Sequence, residues 1–251
     1  AVWEAVSRRR TYALTGDRIA VQFSLDDHPM GSIVPAAAAG EPRTYAYHVV
    51  GGAPLDSIDV IKNGALVHRV SRSDVPQSAP SDGLVHTKLT LELGWGARGE
   101  RVDWDVRYGV TAGRVIAVEP RFRGPEVVAP QEADDTGRAH AHTSHWERAD
   151  DRTVRFRTVT HGNPNNFTSA TQAMCLEVEV PPDAEVVAEM NGERVAFPLA
   201  TLQGGARAGR LGKIDSPAYR FHRAPSWWEL NWSGEFTDSE PAQDDTDVTY
   251  L

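Results

Sequence analysis

The residues best suited to metal chemistry are three closely spaced histidines, His140, His142 and His145. Side chains two positions apart on a β-strand point to the same face, so a strand here presents the imidazoles of His140 and His142 together. Imidazole nitrogens are common zinc ligands. His145 falls on the opposite face unless the chain turns. The cluster predicts either an independent metal site or a polar strand surface, which is the commoner source of a His-x-His pattern.

Four arginines near the start of the chain are suited to anion binding. Arg8, Arg9 and Arg10 are consecutive, and Arg18 follows shortly after them. A guanidinium binds phosphate through its bidentate fork. Cations are also stabilised at the C-terminal end of a helix, and a short amphipathic helix is predicted just before these arginines. The cluster therefore predicts an anion-binding patch, a helix-terminal charge, or both.

Tryptophans near the C-terminal end are the best candidates for a ligand-stacking surface. Alternation along a strand places Trp228 and Trp232 on one face and Trp227 on the other. Exposed tryptophan rings stack on sugars, and aromatic residues are enriched at interfaces. Burial in a core or a domain interface is the ordinary alternative for tryptophan. Both interpretations of Trp228 and Trp232 stay open at this point.

Other catalytic patterns do not supply a candidate, and no catalytic residue is predicted. The chain has no Gly-x-Ser-x-Gly elbow. Residues 204–210 are glycine-rich but lack the Gly-Lys-Ser/Thr ending of a phosphate-binding loop, so they predict a flexible loop. The single cysteine, Cys175, lies between Met174 and Leu176, which predicts a buried and inert strand thiol.

Charge and hydropathy exclude two classes of partner. The chain carries 26 basic and 35 acidic residues, a formal net charge of −9, which argues against non-specific nucleic-acid binding. Acidic tracts at residues 132–135 and 238–247 predict solvated loops. No run approaches the roughly 18 apolar residues of a membrane span. We therefore expect no nucleic-acid or membrane partner, while compartment and oligomeric state are left open.

The pattern of short alternating runs predicts a mainly β protein. The 21 glycines and 16 prolines separate these runs, and Asn63-Gly64 and Asn191-Gly192 predict two tight hairpins. Because so many strands must cover their apolar faces, we expect an antiparallel β-sandwich, immunoglobulin-like or related, with a short N-terminal helix. The predicted strands cover residues 19–25, 44–50, 57–62, 65–70, 85–93, 101–108, 113–118, 153–160, 173–180, 185–190, 194–199, 219–222, 227–232 and 248–251.

Four segments follow from this pattern. Residues 1–18 form a junction helix and extended segment, 19–124 a first β region, 125–139 a Pro-rich and acidic linker or loop, and 140–251 a second β region or part of the same sandwich. The predicted helix has Val2, Trp3 and Val6 on one side and nothing before it to pack on. We therefore expect the chain to follow an upstream catalytic domain.

Three stretches carry a resemblance to a known family. They read RRTYALTGDRI at residues 9–19, HPMGS at 28–32 and IDVIKNGALVH at 58–68. They resemble the region just after the catalytic domain in bacterial PHP-like proteins, a family of poorly assigned function related to metal-dependent phosphoesterases of the polymerase and histidinol phosphatase type. The resemblance covers about the first 70 residues, and later residues match only in their β character.

This resemblance implies a role for the chain without a catalytic residue in it. In such proteins divalent metals are held by His, Asp and Glu residues of a distorted barrel, and this chain has no matching series. The implied role is a non-catalytic C-terminal β-domain that packs on and shapes the catalytic barrel of a metal-dependent hydrolase such as a phosphoesterase. The metals then belong to the upstream domain, and no cofactor is expected in this chain. A carbohydrate- or polymer-binding module and an independent His-metal site are the alternatives.

Overall fold

A computed structural model describes residues 2–35, 41–77, 83–123, 144–162, 170–240 and 247–251. Every strand pair in these residues is antiparallel. The α-helices described are short, and none is long and apolar enough to cross a membrane. They are α1 (Val2–Ser7), α2 (Leu199–Gln203) and α3 (Trp227–Leu230). The predicted mainly β, antiparallel class with a short N-terminal helix is confirmed.

Most strands of the described residues follow the predicted alternating runs. In chain order they are β1 (Ala20–Leu25), β2 (His28–Pro29), β3 (Arg43–Val50), β4 (Ser57–Lys62), β5 (Ala65–Ser71), β6 (Val85–Trp95), β7 (Arg101–Val110), β8 (Arg114–Arg121), β9 (His145–Arg148), β10 (Thr153–His161), β11 (Thr171–Val180), β12 (Glu185–Met190), β13 (Glu193–Pro198), β14 (Arg207–Arg210), β15 (Pro217–Phe221), β16 (Asn231–Asp238) and β17 (Thr249–Tyr250). Of these, β2, β9, β14 and most of β16 were not predicted.

The chain groups into two compact units, and the first contains both ends of the sequence. It comprises Ala1–Ala79 and Trp227–Leu251. Its described strands form a four-stranded sheet in the order β16-β3-β1-β2 and a three-stranded sheet in the order β17-β4-β5. The two sheets share a small core that includes Tyr47, Ile58 and Trp232. This first unit is therefore a two-layer sandwich built by strands from distant parts of the sequence.

The second unit, Pro80–Ser226, contains the larger core. Its two five-stranded sheets have the orders β13-β12-β7-β10-β9 and β14-β15-β6-β11-β8. Leu91 and Met174 from one sheet and Trp104 from the other belong to the same buried cluster, as expected for sheets packed face to face. The indole nitrogen of Trp104 donates a hydrogen bond to Thr160 Oγ1 at 2.8 Å, so its buried polar atom is satisfied.

Both predicted Asn-Gly hairpins are confirmed. Asn63 and Gly64 have φ angles of 50° and 81° and connect β4 to β5, with Lys62 paired to Ala65. Asn191 and Gly192 have φ angles of 51° and 89° and connect β12 to β13. Asparagine and glycine tolerate positive φ better than other residues, and a type I′ turn requires it at both central positions.

The strand predicted over residues 227–232 is wrong in its first part, because residues 227–230 form α3. Two carbonyl oxygens of this short helix accept hydrogen bonds from the loop between β3 and β4. The Glu229 carbonyl accepts from the Leu55 N–H at 2.8 Å, and the Leu230 carbonyl accepts from the Gly51 N–H at 2.8 Å. A tertiary contact therefore overrides the local strand pattern until β16 begins.

The boundaries of the two units differ from those of the predicted segments. Residues 19–124 and 140–251 each contribute to both units, because the first unit joins residues from both ends of the chain. The predicted linker at residues 125–139 lies outside the described residues. A chain division at that linker stays a prediction.

Shortening a core side chain of the second unit tests its packing. Leu91→Ala removes a side chain that is 0% exposed, so we expect a loss of about 2–5 kcal/mol in the free energy of unfolding. The measurement is urea unfolding followed by circular dichroism. Ile214→Ala, at a side chain 78% exposed in the same unit, should change it by less than about 0.5 kcal/mol. Equal losses of unfolding free energy in both variants would contradict the placement of Leu91 in the core.

Candidate binding groove

The first unit contains a groove of roughly 450 Å³. Binding sites for small molecules commonly have volumes of about 300–1,000 Å³. The lining combines residues that are distant in sequence. Arg9 follows α1, Phe23 and Tyr45 lie on β1 and β3, Lys62 ends β4, and Thr249 begins β17. The fold of this unit therefore assembles a concave site that no single sequence motif contains.

Aromatic rings form the floor of the groove and continue into the sandwich. The ring centroids of Phe23 and Tyr45 are 5.8 Å apart and nearly parallel, and those of Tyr45 and Phe236 are 4.9 Å apart. The imidazole of His68 stacks on Phe236 at 4.4 Å. Stacked rings of this kind add roughly 0.5–1.5 kcal/mol per pair beyond their buried area. The row thus gives the groove a stiff, apolar base.

One wall of the groove contains a buried lysine that is paired with two carboxylates. Lys62 Nζ lies 2.7 Å from Asp238 Oδ2 and 3.3 Å from Asp247 Oδ2, and Lys62 is 7% exposed. Burial disfavours the ammonium, but the hydrogen bonds and charges of the two aspartates outweigh it and raise the pKa of Lys62. Lys62 is therefore charged and serves to join β4 to the chain around β16 and β17.

A second charged contact stabilises the turn beside β2. Asp26 accepts a hydrogen bond from the Thr44 N–H at 2.8 Å and another from Arg43 Nε at 3.0 Å. The backbone hydrogen bond from Thr44 is the main cause of the lowered pKa of Asp26, and Arg43 contributes by hydrogen bond and charge. Asp26 has a φ of 45°, so this carboxylate stabilises an unusual backbone conformation.

Of the four predicted anion-binding arginines, only Arg9 lines the groove. Its Nη2 donates a hydrogen bond to the Gly31 carbonyl at 3.0 Å. Gly31 has a φ of 83°, and a Cβ at this position would collide with the Arg8 carbonyl oxygen. The hydrogen bond of Arg9 therefore attaches the N-terminal segment to the turn after β2. Glycine at position 31 allows this close approach because it has no Cβ.

The remaining arginines are exposed on the same segment. Arg8 Nη2 lies 3.4 Å from Glu4 Oε1 in a surface ion pair, and such pairs contribute little stability. Arg10 and Arg18 are also exposed. A joint anion-binding patch of Arg8, Arg9, Arg10 and Arg18 stays a prediction.

The predicted histidine cluster is described only in part. His140 and His142 lie outside the described residues, whereas His145 is exposed at the start of β9. Within the described ranges, no group of three His, Cys, Asp or Glu side chains is placed to hold a metal ion. The metal site at His140, His142 and His145 stays a prediction.

Cys175 is buried on β11, as its apolar neighbours predicted. Burial raises the pKa of the Cys175 thiol to about 11. At neutral pH the sulfur is therefore protonated and a poor nucleophile. This agrees with its assignment as an inert strand thiol.

The two tryptophans predicted to stack on a ligand have different surroundings. Trp232 is 2% exposed and belongs to the core of the first unit. Its indole nitrogen donates a hydrogen bond to the Trp228 carbonyl at 2.8 Å. Trp228 is partly buried on α3, so strand alternation does not place the two rings on one face. The ring of Trp232 is a core contact and presents no stacking face to solvent.

Lys62 is the groove residue that the sequence reasoning missed. It continues the inward positions Ile58 and Val60 of β4, all three of which are buried. A lysine at the end of an apolar face needs buried carboxylate partners, because an isolated charge is costly to desolvate. The position of Lys62 on the apolar face of β4, combined with the acidic tract at residues 238–247, was the sequence signal that could have predicted this buried ion pair.

Comparison with known proteins identifies only partial relatives. No family model matches the chain, and no solved structure matches it. An uncharacterized protein of Chlamydia pneumoniae is 35% identical over 68 residues, which is 26% of this chain and 11% of that protein. An uncharacterized protein of Chlamydia muridarum is 37% identical over 70 residues, with the same two shares. The chain thus matches about a ninth of the length of these curated relatives.

Removing the charge of Lys62 should destabilise the first unit. Lys62→Met leaves Asp238 and Asp247 close together without their counter-ion, which costs about 3–5 kcal/mol for a buried pair. The measurement is the free energy of unfolding in urea at pH 7. Lys213→Met, at an exposed lysine, is the matched control and should be close to neutral. An unchanged stability of Lys62→Met would show that the ion pair contributes nothing.

The lowered pKa of Asp26 predicts an acid-dependent contribution to stability. The folded state favours the carboxylate, so its stabilisation is complete above the unfolded pKa of about 3.9. It is lost as the pH falls through the lower folded pKa. We therefore expect Asp26→Asn to lower the urea midpoint at pH 7, and the difference from the parent chain to shrink as the pH falls through the lowered pKa of Asp26. A midpoint difference that grows on acidification would contradict the direction of this pKa shift.

Proposed function

We propose that this chain is a non-catalytic β-sandwich module of a PHP-like metal-dependent hydrolase, and that it packs on the catalytic barrel through α1. The observation that carries this proposal is the apolar face of α1. Val2, Trp3 and Val6 are 81%, 80% and 51% exposed. Adjacent exposed apolar side chains of this size are typical of a surface that contacts another domain.

The attachment of α1 to the first unit supports this role. Arg8 and Arg9 form the turn that follows the helix, and Arg9 donates its hydrogen bond to the Gly31 carbonyl. The Arg10 N–H donates to the Ala5 carbonyl at 2.9 Å, and together with the left-handed Arg9 this bond ends α1 beside that contact. A helix fastened at its base holds its apolar face in a defined direction, as a junction between two domains requires.

The comparisons agree with a module inside a longer protein. The matched segments occupy 11% of each Chlamydia protein, so in those chains the related segment is a small part of the whole. The PHP-like assignment itself rests on the resemblance of residues 9–19, 28–32 and 58–68. In this proposal the divalent metals and the hydrolytic reaction, such as phosphoester cleavage, belong to the upstream domain.

A substitution at Trp3 in the full-length parent protein tests the packing. Trp3→Ser should lower the thermal stability of the catalytic domain, because burying a large apolar side chain contributes about 1.5–3 kcal/mol. Differential scanning calorimetry measures the transition. Ile214→Ser, at another exposed apolar side chain, is the matched control and should leave it unchanged.

A photo-reactive amino acid at position 3 separates packing from indirect effects. We expect it to cross-link to residues upstream of Ala1, whereas the same group at position 214 should not. Absence of the cross-link would refute the docking role of α1. A parent protein that hydrolyses no phosphoester or related substrate with added Mn²⁺, Mg²⁺ or Zn²⁺ would refute the hydrolase assignment.

A further inference from the structure

We propose that the groove of the first unit binds an uncharged ligand built on a flat apolar ring. This proposal concerns a different surface from α1 and does not rest on the PHP-like assignment. Three observations support it: exposed apolar side chains line the groove, its floor is part of a row of stacked aromatic rings, and the charges of its lining cancel one another.

Several of the exposed apolar side chains of the protein line this groove. Ile33 is 83% exposed, and the tyrosines Tyr12 and Tyr250 are 50% and 51% exposed. Leu25 and Met30 line the same groove and are partly buried. Removing apolar surface from water favours binding, and exposed apolar patches of a folded protein often mark a ligand groove. The lining therefore favours a ligand that is apolar over most of its surface.

The floor favours a flat ring over a flexible chain. Phe23 and Tyr45 belong to the row of nearly parallel rings that continues through Phe236 to His68. Tyr45 is 4% exposed and is held inside the sandwich, whereas Phe23 is only partly buried and lines the groove. Aromatic rings attract one another in offset-stacked and edge-to-face arrangements. A rigid ring also loses less conformational entropy on binding than an acyl chain of similar size.

The charges of the lining favour a ligand without a formal charge. Besides His28, the lining has three cationic and three anionic side chains, which are Arg9, Arg43, Lys62, Glu41, Glu240 and Asp247. Complementary charge across an interface directs which partner binds, and a lining without a net charge offers no such attraction to an ion. A ligand of either sign would leave the site with an unbalanced charge.

The cations of the lining are also bonded within the protein already. Arg9 Nη2 donates to the Gly31 carbonyl, and Arg43 Nε lies 3.0 Å from Asp26 Oδ2. Lys62 Nζ contacts the two aspartates described above, and one of them, Asp247, accepts a second hydrogen bond from Asn63 Nδ2 at 2.6 Å. A charged ligand group has to compete with these contacts after losing its own hydration.

The test uses this chain and two fluorescent probes that share one ring system. N-phenyl-1-naphthylamine is uncharged, and 8-anilino-1-naphthalenesulfonate has the same rings with a sulfonate. Both fluoresce strongly in an apolar site, so a titration gives an affinity for each probe. We expect the uncharged probe to bind about tenfold more tightly, because the sulfonate brings an unbalanced charge into the groove.

Displacement of the uncharged probe distinguishes a ring from a chain. The competitors are 1-naphthol and 1-octanol, which are uncharged alcohols of similar hydrophobicity. We expect 1-naphthol to displace the probe at the lower concentration, because its ring stacks on aromatic side chains and has no chain torsions to fix.

A new carboxylate in the lining shows whether the probe binds in the groove. Ile33→Asp changes an exposed side chain, so the fold should be retained in urea unfolding, while the affinity for the uncharged probe should fall about tenfold. Ile214→Asp, at an exposed side chain of the second unit, is the matched control and should keep the affinity of the parent chain. Trp3→Ser should also keep it, since Trp3 lies outside the lining, and this separates the groove from the docking role of α1.

Several outcomes would overturn the proposal. These are no binding of the uncharged probe, equal or tighter binding of the sulfonate, stronger displacement by 1-octanol, or equal losses of affinity in Ile33→Asp and Ile214→Asp. A chain that is dimeric by light scattering and excludes the probe as a dimer would assign the groove to a second copy instead.

Discussion

The pairing of β3 on both of its edges is the constraint on which the first unit depends. β3 pairs with β1 over six residues and with β16 over eight, and Val50 has a partner on each side. Because β16 lies far along the sequence, this edge of β3 is paired only by a long-range contact. The Lys62–Asp238 ion pair and the Tyr45–Thr249 hydrogen bond repeat the same long-range connection through side chains. The Tyr45–Thr249 bond joins β17 to β3, and residues of both strands line the groove.

Local signals in the sequence were sufficient for most strands and for the hairpins. Asn63-Gly64 specifies its own turn, since the requirement for positive φ is met by the two residues themselves. Alternation located β12 without error, because a strand between two short turns leaves little freedom in register. The pairing of β3 with β16 could not be predicted in this way, since nothing in residues 43–50 indicates residues 231–238 as their partner.

Where the structure differs from the sequence prediction, the common physical cause is a contact with residues distant in the sequence. Residues 204–210 predicted a flexible loop, yet Arg207–Arg210 form β14 against β15. A side chain on Gly209 would meet the ring of Tyr219, so this glycine provides close packing between strands. α3 likewise replaces a predicted strand because its carbonyls bond residues 51 and 55. For the groove, the acidic tract was visible in the sequence, but its pairing with Lys62 depended on tertiary structure.

The insertion of the second unit between β5 and β16 also determines when the first unit can be completed during synthesis. A ribosome adds about 5–20 residues per second, so the roughly 180 residues between β3 and β16 take on the order of 10–40 s to emerge. During that interval β3 has one unpaired edge, and the aromatic row lacks Phe236. The nascent chain therefore leaves the backbone N–H and C=O groups of one β3 edge unpaired until β16 emerges. Meanwhile the residues of the second unit are already available to fold.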